Sequence, residues 1–228
     1  MEEYFNVLAA CPLFDSIGDE NLRALLKCLR VTRRVYEKNA YVFSAGDAAP
    51  QIGVVLSGRV HVLHEDYWGN RTILAAIATG NLFGEAFSCA ETDNVTVSVL
   101  AAERTEVLYV DYARIATQCS ASCDFHATLI KNLLRLLARK NIQLTQKLEI
   151  VTSRTTRERL MAYLSAQAQA AGSNRFTIPF NRQQLADFLS VERSAMSAEL
   201  GRMQADGLLQ TRRSEFELSD VSSLAKYP

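Results

Sequence analysis

No stretch of the sequence approaches the roughly 18 apolar residues that a membrane-spanning helix needs. The first 13 residues contain two acids and no basic residue, which argues against a secretory signal peptide. We therefore expect a cytoplasmic protein. The 228 residues, of which 48% are hydrophobic and 22% charged, have the composition of an ordinary folded chain and suffice for one large domain or two small ones.

Cysteine is sparse and irregularly placed. The five cysteines are Cys11, Cys28, Cys89, Cys119 and Cys123. An odd number without regular spacing argues against a disulfide framework, so we expect free thiols. Cys119, Cys123 and His126 are spaced so that one helical face would gather two thiolates and an imidazole, which suit a soft metal. A fourth ligand is not evident and buried free thiols are the commoner outcome, so we predict no metal site.

Catalytic constellations are also missing from the sequence. It contains no paired acid and base, no activated nucleophile and no metal triad. His61 and His64 are three residues apart on a predicted strand, where side chains at that spacing point to opposite faces. The sequence therefore argues against an enzyme built on a metal-binding β-roll.

The formal net charge is +0, but acidic and basic residues are unevenly distributed. Residues 1–120 hold 10 basic and 15 acidic residues, whereas residues 121–228 hold 15 and 10. An anionic partner is therefore expected to bind the C-terminal part.

Short apolar segments alternate with turn signals such as Gly46-Asp47 and Gly80-Asn81 between residues 31 and 111. The predicted strands cover residues 31–35, 41–43, 52–56, 59–64, 72–77, 94–101 and 106–110. So many short strands at regular spacing favour a sandwich, barrel or roll. A short amphipathic helix after Asp19 is predicted to precede them.

A long helix is predicted over residues 124–151. Apolar positions along it recur in alternating steps of four and three residues: Ile130, Leu134, Leu137, Asn141, Leu144, Leu148 and Val151. This heptad seam is typical of a two-stranded coiled coil. If the three-residue steps run from a to d, Asn141 occupies an a position, where an amide paired with its own copy fixes parallel register at some cost in stability. A single buried helix that matches the heptad by coincidence is the simpler alternative.

Two capping boxes mark helix starts in the C-terminal part. Thr155 with Glu158 begins one helix, so the long helix must break or bend near residues 152–155. Asn181 with Gln184 begins another.

The pattern after Asn181 predicts helix, turn, helix and hairpin. The turn covers residues 190–192, and Asp206-Gly207 closes the second helix. Two short runs, 208–211 and 216–218, flank Arg212-Arg213-Ser214-Glu215, which predicts a two-stranded wing with a basic tip.

Such a helix–turn–helix fits DNA, because its second helix enters the major groove while the wing meets phosphates. The outward residues of the second helix are predicted to be Arg193, Ser194, Ser197 and Ala198. Arg193 can offer a bidentate fork to a guanine edge, and the two serines can reach bases or phosphates. The predicted phosphate contacts are Arg182, Arg212 and Arg213. The alternative is a small helical domain whose arginines are merely solvated.

Six short motifs occur in order around these elements. They are Cys11-Pro12-Leu13-Phe14, Gly46-Asp47, Val54-Val55-Leu56-Ser57-Gly58-Arg59-Val60, Gly69-Asn70-Arg71, Phe83-Gly84-Glu85 and Asn181-Arg182-Gln183-Gln184-Leu185-Ala186. With these motifs and the heptad helix, nearly the whole chain resembles the Crp/Fnr family of bacterial transcription regulators. The resemblance implies an α+β fold with an N-terminal double-stranded, jelly-roll-like β-roll of the cyclic-nucleotide-binding type, a long dimerisation helix and a C-terminal winged helix–turn–helix.

On this basis we expect an effector-sensing β-roll domain at residues 1–118, a dimerisation helix and hinge at 119–153, and a DNA-binding domain at 154–228. The resemblance also implies a two-fold symmetric operator and contact with RNA polymerase.

The resemblance places an effector pocket between the roll and the long helix. Its predicted members are Phe83, Gly84, Glu85, Ala86, Phe87, Val95 and Thr96 from the roll and Lys140, Asn141, Gln143 and Leu144 from the helix. Apolar lining of this kind suits a small organic ligand better than a nucleotide.

This chain departs from the family pattern at three places. Relatives that bind cyclic AMP hold its phosphate with an Arg-Ser pair, whose places are taken here by Val95 and Thr96, so cyclic AMP is not expected. Glu85 could still accept a hydrogen bond from a hydroxyl group. Cys11 stands alone in the N-terminal segment, which argues against an iron–sulfur cluster. Ser194 and Ala198 replace the glutamate and arginine that often contact bases.

We therefore predict a homodimeric, sequence-specific regulator of transcription, controlled by a small-molecule or redox effector at the roll and without enzymatic activity. Its expected partners are double-stranded DNA with an inverted repeat, a second copy of the chain, RNA polymerase and the effector, but no membrane. Apart from that unidentified effector, no cofactor is predicted. One alternative is a ligand-binding module whose winged helix docks a protein partner; a second is a β-roll enzyme.

Overall fold

A computed structural model describes residues 2–48, 51–69, 71–117 and 124–219. Cys119, Cys123 and Asn70 of the predicted Gly69-Asn70 turn lie outside these residues. The chain divides into two compact units, residues 1–141 and 142–228, and the division falls within one long helix. No helix among the described residues is both long and apolar enough to span a bilayer.

Within its described residues, the first unit contains four short α-helices and the first part of the long one. They are α1 (Phe5–Ala9), α2 (Asp19–Cys28), α3 (Glu85–Ala90), α4 (Tyr112–Ala116) and α5 (Asp124–Thr152). Leu22, Leu25 and Leu26 form the buried face of α2, as the amphipathic pattern predicts. Asp19 and Glu20 in its first turn favour its N-terminus electrostatically.

Eight strands form two four-stranded antiparallel sheets. They are β1 (Thr32–Tyr36), β2 (Tyr41–Phe43), β3 (Ile52–Ser57), β4 (Arg59–Glu65), β5 (Arg71–Ala78), β6 (Leu82–Phe83), β7 (Ser98–Ala101) and β8 (Thr105–Val110). The strand orders are β1-β8-β3-β6 and β2-β7-β4-β5. Except for the β4–β5 hairpin, consecutive strands lie in different sheets, so the two sheets form a double-stranded β-roll.

The predicted strands are found, with two differences. The strand predicted over 94–101 begins only at Ser98, because the backbone of Val95 bonds Gly46 and Asp47 in the neighbouring loop instead of a strand. Strand β6 was not predicted because two residues are too short to show the alternation that identifies a strand.

The inside of the roll is filled by side chains from both sheets. The buried members are Phe43, Val55, Val60, Phe83, Val95, Val99, Val107 and Tyr109. Phe83 packs directly over Gly53, where a Cβ atom would lie only 2.3 Å from Phe83 Cζ. Glycine is therefore required at position 53 as long as the Phe83 ring occupies the interior.

A helical layer covers the outside of one sheet. Leu129, Leu133 and Leu136 of α5 pack there with the leucines of α2 and with Leu108 of β8. In the same layer Asn132 is buried, and its Nδ2 atom donates to the carbonyl oxygens of Leu13 at 3.1 Å and Asp15 at 2.7 Å. These bonds fasten α5 to the N-terminal segment.

His61 is a buried titratable group on β4, whereas His64 is exposed. Burial, together with the nearby positive charge of Arg59, lowers the pKa of His61 to about 4. The unfolded chain, with an ordinary histidine pKa of about 6.5, binds more protons between these values, so the free energy of unfolding falls as the pH is lowered through this window.

We expect this loss of stability to be about 2–3 kcal/mol between pH 7.5 and pH 4.5, because a difference of one in pKa corresponds to about 1.4 kcal/mol. Urea unfolding of the wild type and of His61→Gln at both pH values measures it. The variant should lose less stability on acidification than the wild type; an equal loss in both proteins would contradict the assignment to His61.

The second unit contains the end of α5, three further helices and a three-stranded sheet. The elements are α6 (Thr156–Ala171), β9 (Arg175–Thr177), α7 (Arg182–Leu189), α8 (Arg193–Ala205), β10 (Leu209–Arg212) and β11 (Glu215–Leu218). Both predicted capping boxes are present, at Thr155 with Glu158 and at Asn181 with Gln184. Strands β10 and β11 form the predicted wing, and β9 adds a third strand to it.

Candidate nucleic-acid interface and effector site

Helix α8 is presented by the turn that follows α7. Ser190 adopts a left-handed conformation with φ 53° and ends α7, and Glu192 caps the start of α8. Met196, Leu200 and Met203 form the inner face of α8 and are buried. The predicted reading residues Arg193, Ser194, Ser197 and Ala198 are all exposed on its other side. The face of α8 that the sequence predicts to contact DNA is therefore exposed to solvent.

Glu192 is a member of this face that the sequence analysis missed. Its carboxylate accepts hydrogen bonds from the Ser194 hydroxyl and from the Ala195 amide, the latter at 2.8 Å. The bond from the Ser194 side chain is the main cause that lowers the pKa of Glu192. The Ser194 hydroxyl is therefore already engaged, which leaves Arg193 and Ser197 as the more available donors. An acidic residue before a helix start is an N-cap signal, so this role could have been predicted.

Of the three arginines predicted to contact phosphates, two are exposed. Arg212 and Arg213 lie at the tip of the wing, where Arg213 adopts φ 55°. Arg182 is half-buried instead: its Nη2 atom donates to Thr211 Oγ1 at 2.8 Å, and its guanidinium lies 5.2 Å from the centre of the Phe216 ring. Burial lowers the pKa of Arg182. In this structure Arg182 joins α7 to the wing.

An ion-pair network centred on the buried Glu199 joins α6 to α8. Arg157 Nε lies 2.6 Å from Glu199 Oε1 and its Nη2 lies 2.5 Å from Asp206 Oδ2. Arg202 Nη1 bonds the other oxygen of Glu199 at 2.7 Å. Glu199 occupies the buried side of α8 between Met196 and Met203. The acidic Glu199 within the apolar stripe of α8 was a signal in the sequence that an ion pair forms here. Its partner Arg157 could not be identified without the fold.

The predicted effector site centres on Glu85, the first residue of α3. Gly84 before it adopts φ 78°, a left-handed conformation suited to glycine. Glu85 is only 4% exposed. Lys140 of α5 reaches it, with Nζ 2.8 Å from Glu85 Oε1 and 2.6 Å from the carbonyl oxygen of Leu82. Glu85 Oε2 is buried and accepts no hydrogen bond from the described residues.

The other predicted effector residues differ in burial. Phe83 and Val95 are buried within the roll, and Phe87 packs partly against the same interior. Ala86, Thr96 and Asn141 are exposed, as are Gln143 and Leu144 in the second unit. Of the helix residues that the resemblance places in the pocket, Lys140 contacts Glu85 and Leu82.

The heptad seam of α5 runs beside the face formed by Leu129, Leu133 and Leu136, and its members Ile130 and Leu137 also pack against the core of the first unit. Leu134, Leu144 and Leu148 are 63%, 58% and 61% exposed, respectively. Asn141 is exposed as well. The remaining seam residues are half-buried: Ile130, Leu137 and Val151. Leu134, Leu144 and Leu148 therefore form an exposed apolar stripe on the helix, which Asn141 interrupts.

The described residues contain no group of three or more histidine, cysteine, aspartate and glutamate side chains that could hold a metal ion. The predicted gathering of Cys119, Cys123 and His126 involves two residues outside the described part of the chain, where only the buried His126 is placed.

Comparisons with known proteins agree with this architecture. Residues 33–122 match the cyclic nucleotide-binding domain and residues 158–227 the Crp-like helix-turn-helix domain. The chain belongs to the Crp/Fnr family, which is a family of transcription regulators and not of enzymes. The family and the fold class predicted from the sequence are thereby confirmed.

Individual relatives match most of the chain at low identity. CRP-like protein Clp of Xanthomonas campestris pv. campestris is 26% identical over 191 residues, covering 79% of this chain and 80% of the relative. The cyclic AMP receptor protein of Thermus thermophilus is 24% identical over 217 residues, covering 93% and 94%. The solved structure of the c-di-GMP responsive global regulator CLP of Xanthomonas campestris has a TM-score of 0.71 and 22% identity, covering 87% of this chain and 99% of that one.

Proposed function

We propose that this regulator acts as a homodimer that binds an inverted-repeat operator in double-stranded DNA through two copies of α8, under the control of an effector at the roll. The observation that carries the proposal is the exposed first half of α8, with Arg193 at its start and a basic wing tip in the same unit. A helix held in this way enters the major groove, while the wing contacts phosphates.

The proposed partner for the exposed stripe of α5 is a second copy of the chain. Three leucines exposed at heptad spacing are costly to leave in water, and a coiled coil covers them by pairing with the same residues of the other protomer. Asn141 would face its own copy and fix a parallel register. A parallel pair places two identical DNA-binding units on a two-fold axis, which matches an inverted repeat.

The proposed division of roles follows the geometry of each side chain. Arg193 would give the main base contact, since a guanidinium can donate two hydrogen bonds to the edge of one guanine. The small side chains of Ser197 and Ala198 allow the helix to approach the groove closely. Arg212 and Arg213 would bind phosphates, which orient the protein without reading sequence. Arg182 would reach a phosphate only by leaving Thr211.

The effector is proposed to be a small organic molecule, with a redox signal as the other possibility, and not cyclic AMP. Relatives differ in the ligands that their names state, since one responds to c-di-GMP and another is a cyclic AMP receptor. The inference therefore rests on this chain's own residues. Val95 and Thr96 supply no cation for a phosphate, and buried Glu85 Oε2 offers an acceptor to a hydroxyl group. Gln143 and Leu144 remain predicted members of the site.

Contact with RNA polymerase and residence in the cytoplasm belong to the same proposal, because a regulator of this kind acts where bacterial DNA is transcribed. The proposed functional segments remain 1–118, 119–153 and 154–228.

Selection of DNA from a pool of random duplexes, followed by a mobility shift, tests the proposal. We expect an inverted repeat whose half-sites are about one helical turn apart, on the order of 34 Å, because each recognition helix reads one half-site. A protein that shifts no duplex with or without candidate effectors would contradict it. Function that survives replacement of Arg193 and Arg212 by alanine would favour docking of a protein partner instead.

A further inference from the structure

One side chain bonds both the connection after α5 and the turn of the helix–turn–helix. Arg159 lies on α6, four residues after the capping Thr155. Its Nε atom donates to the carbonyl oxygen of Ser153 at 2.9 Å. Its Nη1 atom donates to the carbonyl oxygens of Leu189 at 3.1 Å and Ser190 at 2.9 Å. All of these residues belong to the second unit.

The carbonyl groups that Arg159 bonds lie at helix ends. Leu189 is the last residue of α7 and Ser190 is its C-cap, so their oxygens have no partner within that helix. A cation at this end is also favoured by the helix dipole. Ser153 follows the last residue of α5. Arg159 thus caps α7 and holds the α5–α6 connection with one planar, rigid group.

One further contact between α5 and α7 is less directional. Lys147 of α5 lies over the ring of Phe188 in α7, 3.8 Å from its centre, and this cation–π contact tolerates sliding across the ring face. Arg157 connects α6 to Glu199 and Asp206 at α8, which is a different junction. Three directional hydrogen bonds from a fork of fixed geometry define an angle far more sharply than one contact with a ring.

We propose that Arg159 is a positioning residue that sets the half-site spacing accepted by the dimer. The inference rests on the proposed DNA binding by a homodimer. If the α7–α8 pair can turn relative to the end of α5, the two copies of α8 are no longer held at one separation. Successive base pairs lie about 3.4 Å apart along the duplex, so a displacement of that size is enough to accept a spacing that differs by one base pair.

The test compares the wild type with Arg159→Gln on duplexes in which the selected half-sites are moved apart or together by one and two base pairs. The wild type should prefer one spacing by about tenfold or more, as expected when two helices must meet two grooves at once. Arg159→Gln should bind all spacings within about threefold of one another, with the loss concentrated at the preferred spacing. A merely structural role would instead lower the affinity for every spacing by the same factor, and that result overturns the proposal.

Two further variants control for folding. Arg154→Gln removes an exposed arginine five residues away and should keep the wild-type spacing profile. Arg159→Lys retains the charge and should fold, but an ammonium group cannot span both sets of carbonyl oxygens, so a broadened profile is expected. An Arg159→Lys protein that keeps the sharp profile would show that charge alone suffices and would contradict the proposal.

A measurement without DNA separates this inference from the proposed function. Spin labels are attached by non-cysteine chemistry at Gln146 of α5 and Gln204 of α8, which are both exposed in the second unit, and the labelled chain is diluted with unlabelled protein. Pulsed electron paramagnetic resonance should show a narrow distribution of distances between the two labels in the wild type and a broad one in Arg159→Gln. If the wild type bound no DNA, the proposed function would fail, yet this distribution would still decide whether Arg159 fixes the orientation. Identical distributions would refute it.

Discussion

Replacing Arg193 with alanine should lower the affinity of the proposed dimer for its operator by about 30-fold or more. Each bidentate contact of arginine with guanine is worth about 1–3 kcal/mol, and an inverted repeat contains two of them. The effect should be large here because the neighbouring outward residues, Ser194, Ser197 and Ala198, are small and Ser194 is engaged with Glu192. Titration of the operator and of single base-pair variants at one salt concentration measures both affinity and specificity.

The matched control is Arg212→Ala at the tip of the wing. A lost phosphate contact weakens binding to all sequences about equally and reduces the salt slope by about one per contact. Arg193→Ala should instead relax the preference at one base pair in each half-site. If both variants weakened all duplexes uniformly, Arg193 would be a phosphate contact and the specificity would have to come from elsewhere.

Replacing Leu148 with glutamate should dissociate the proposed dimer while leaving the fold of each protomer intact. Leu148 is 61% exposed in the protomer, so a charge at this position costs little before pairing. In the dimer, the change removes about 1.5–3 kcal/mol of leucine burial from each protomer and places two like charges in the seam. The dissociation constant should rise by at least about 100-fold. Sedimentation and solution scattering across a concentration series measure it.

Ile142 provides a close control for this change. It lies on the same helix and is 59% exposed, but it occupies a position next to the seam instead of within it. Ile142→Glu should therefore remain a dimer and bind DNA like the wild type. If the two variants dissociated to the same extent, the pairing surface would not follow the heptad; if neither dissociated, the stripe would not be the interface.

Features encoded within a few neighbouring residues were predictable from the sequence. The capping boxes at Thr155 and Asn181 depend on residues three apart, and both are present in the structure. The two faces of α8 follow from the helical spacing of its methionines and leucine. The strands followed from alternation and turn residues, except where residues 94–97 bond a loop and where β6 is too short to give a pattern.

Features that join distant parts of the chain were not predictable in the same way. The ion pair of Arg157 with Glu199 spans 42 residues, and the contact of Lys140 with Leu82 spans 58. Asn132 illustrates the same limit: its bonds to Leu13 and Asp15 depend on how α5 packs against the N-terminal segment, whereas the heptad drew attention to Asn141. Partners of this kind are chosen by topology and not by local spacing.

The ion pair between Lys140 and Glu85 also affects which ligands the proposed effector site would bind. The Lys140 ammonium lies 2.8 Å from the Glu85 carboxylate, so the two charges compensate each other without a ligand. A ligand with a net charge would add an ion without a counter-charge to a buried site of low dielectric constant, where such ions are strongly disfavoured. An uncharged ligand that donates one hydrogen bond to Glu85 Oε2 would leave the Lys140–Glu85 ion pair unchanged. We therefore expect the proposed effector site to favour uncharged ligands over charged ones.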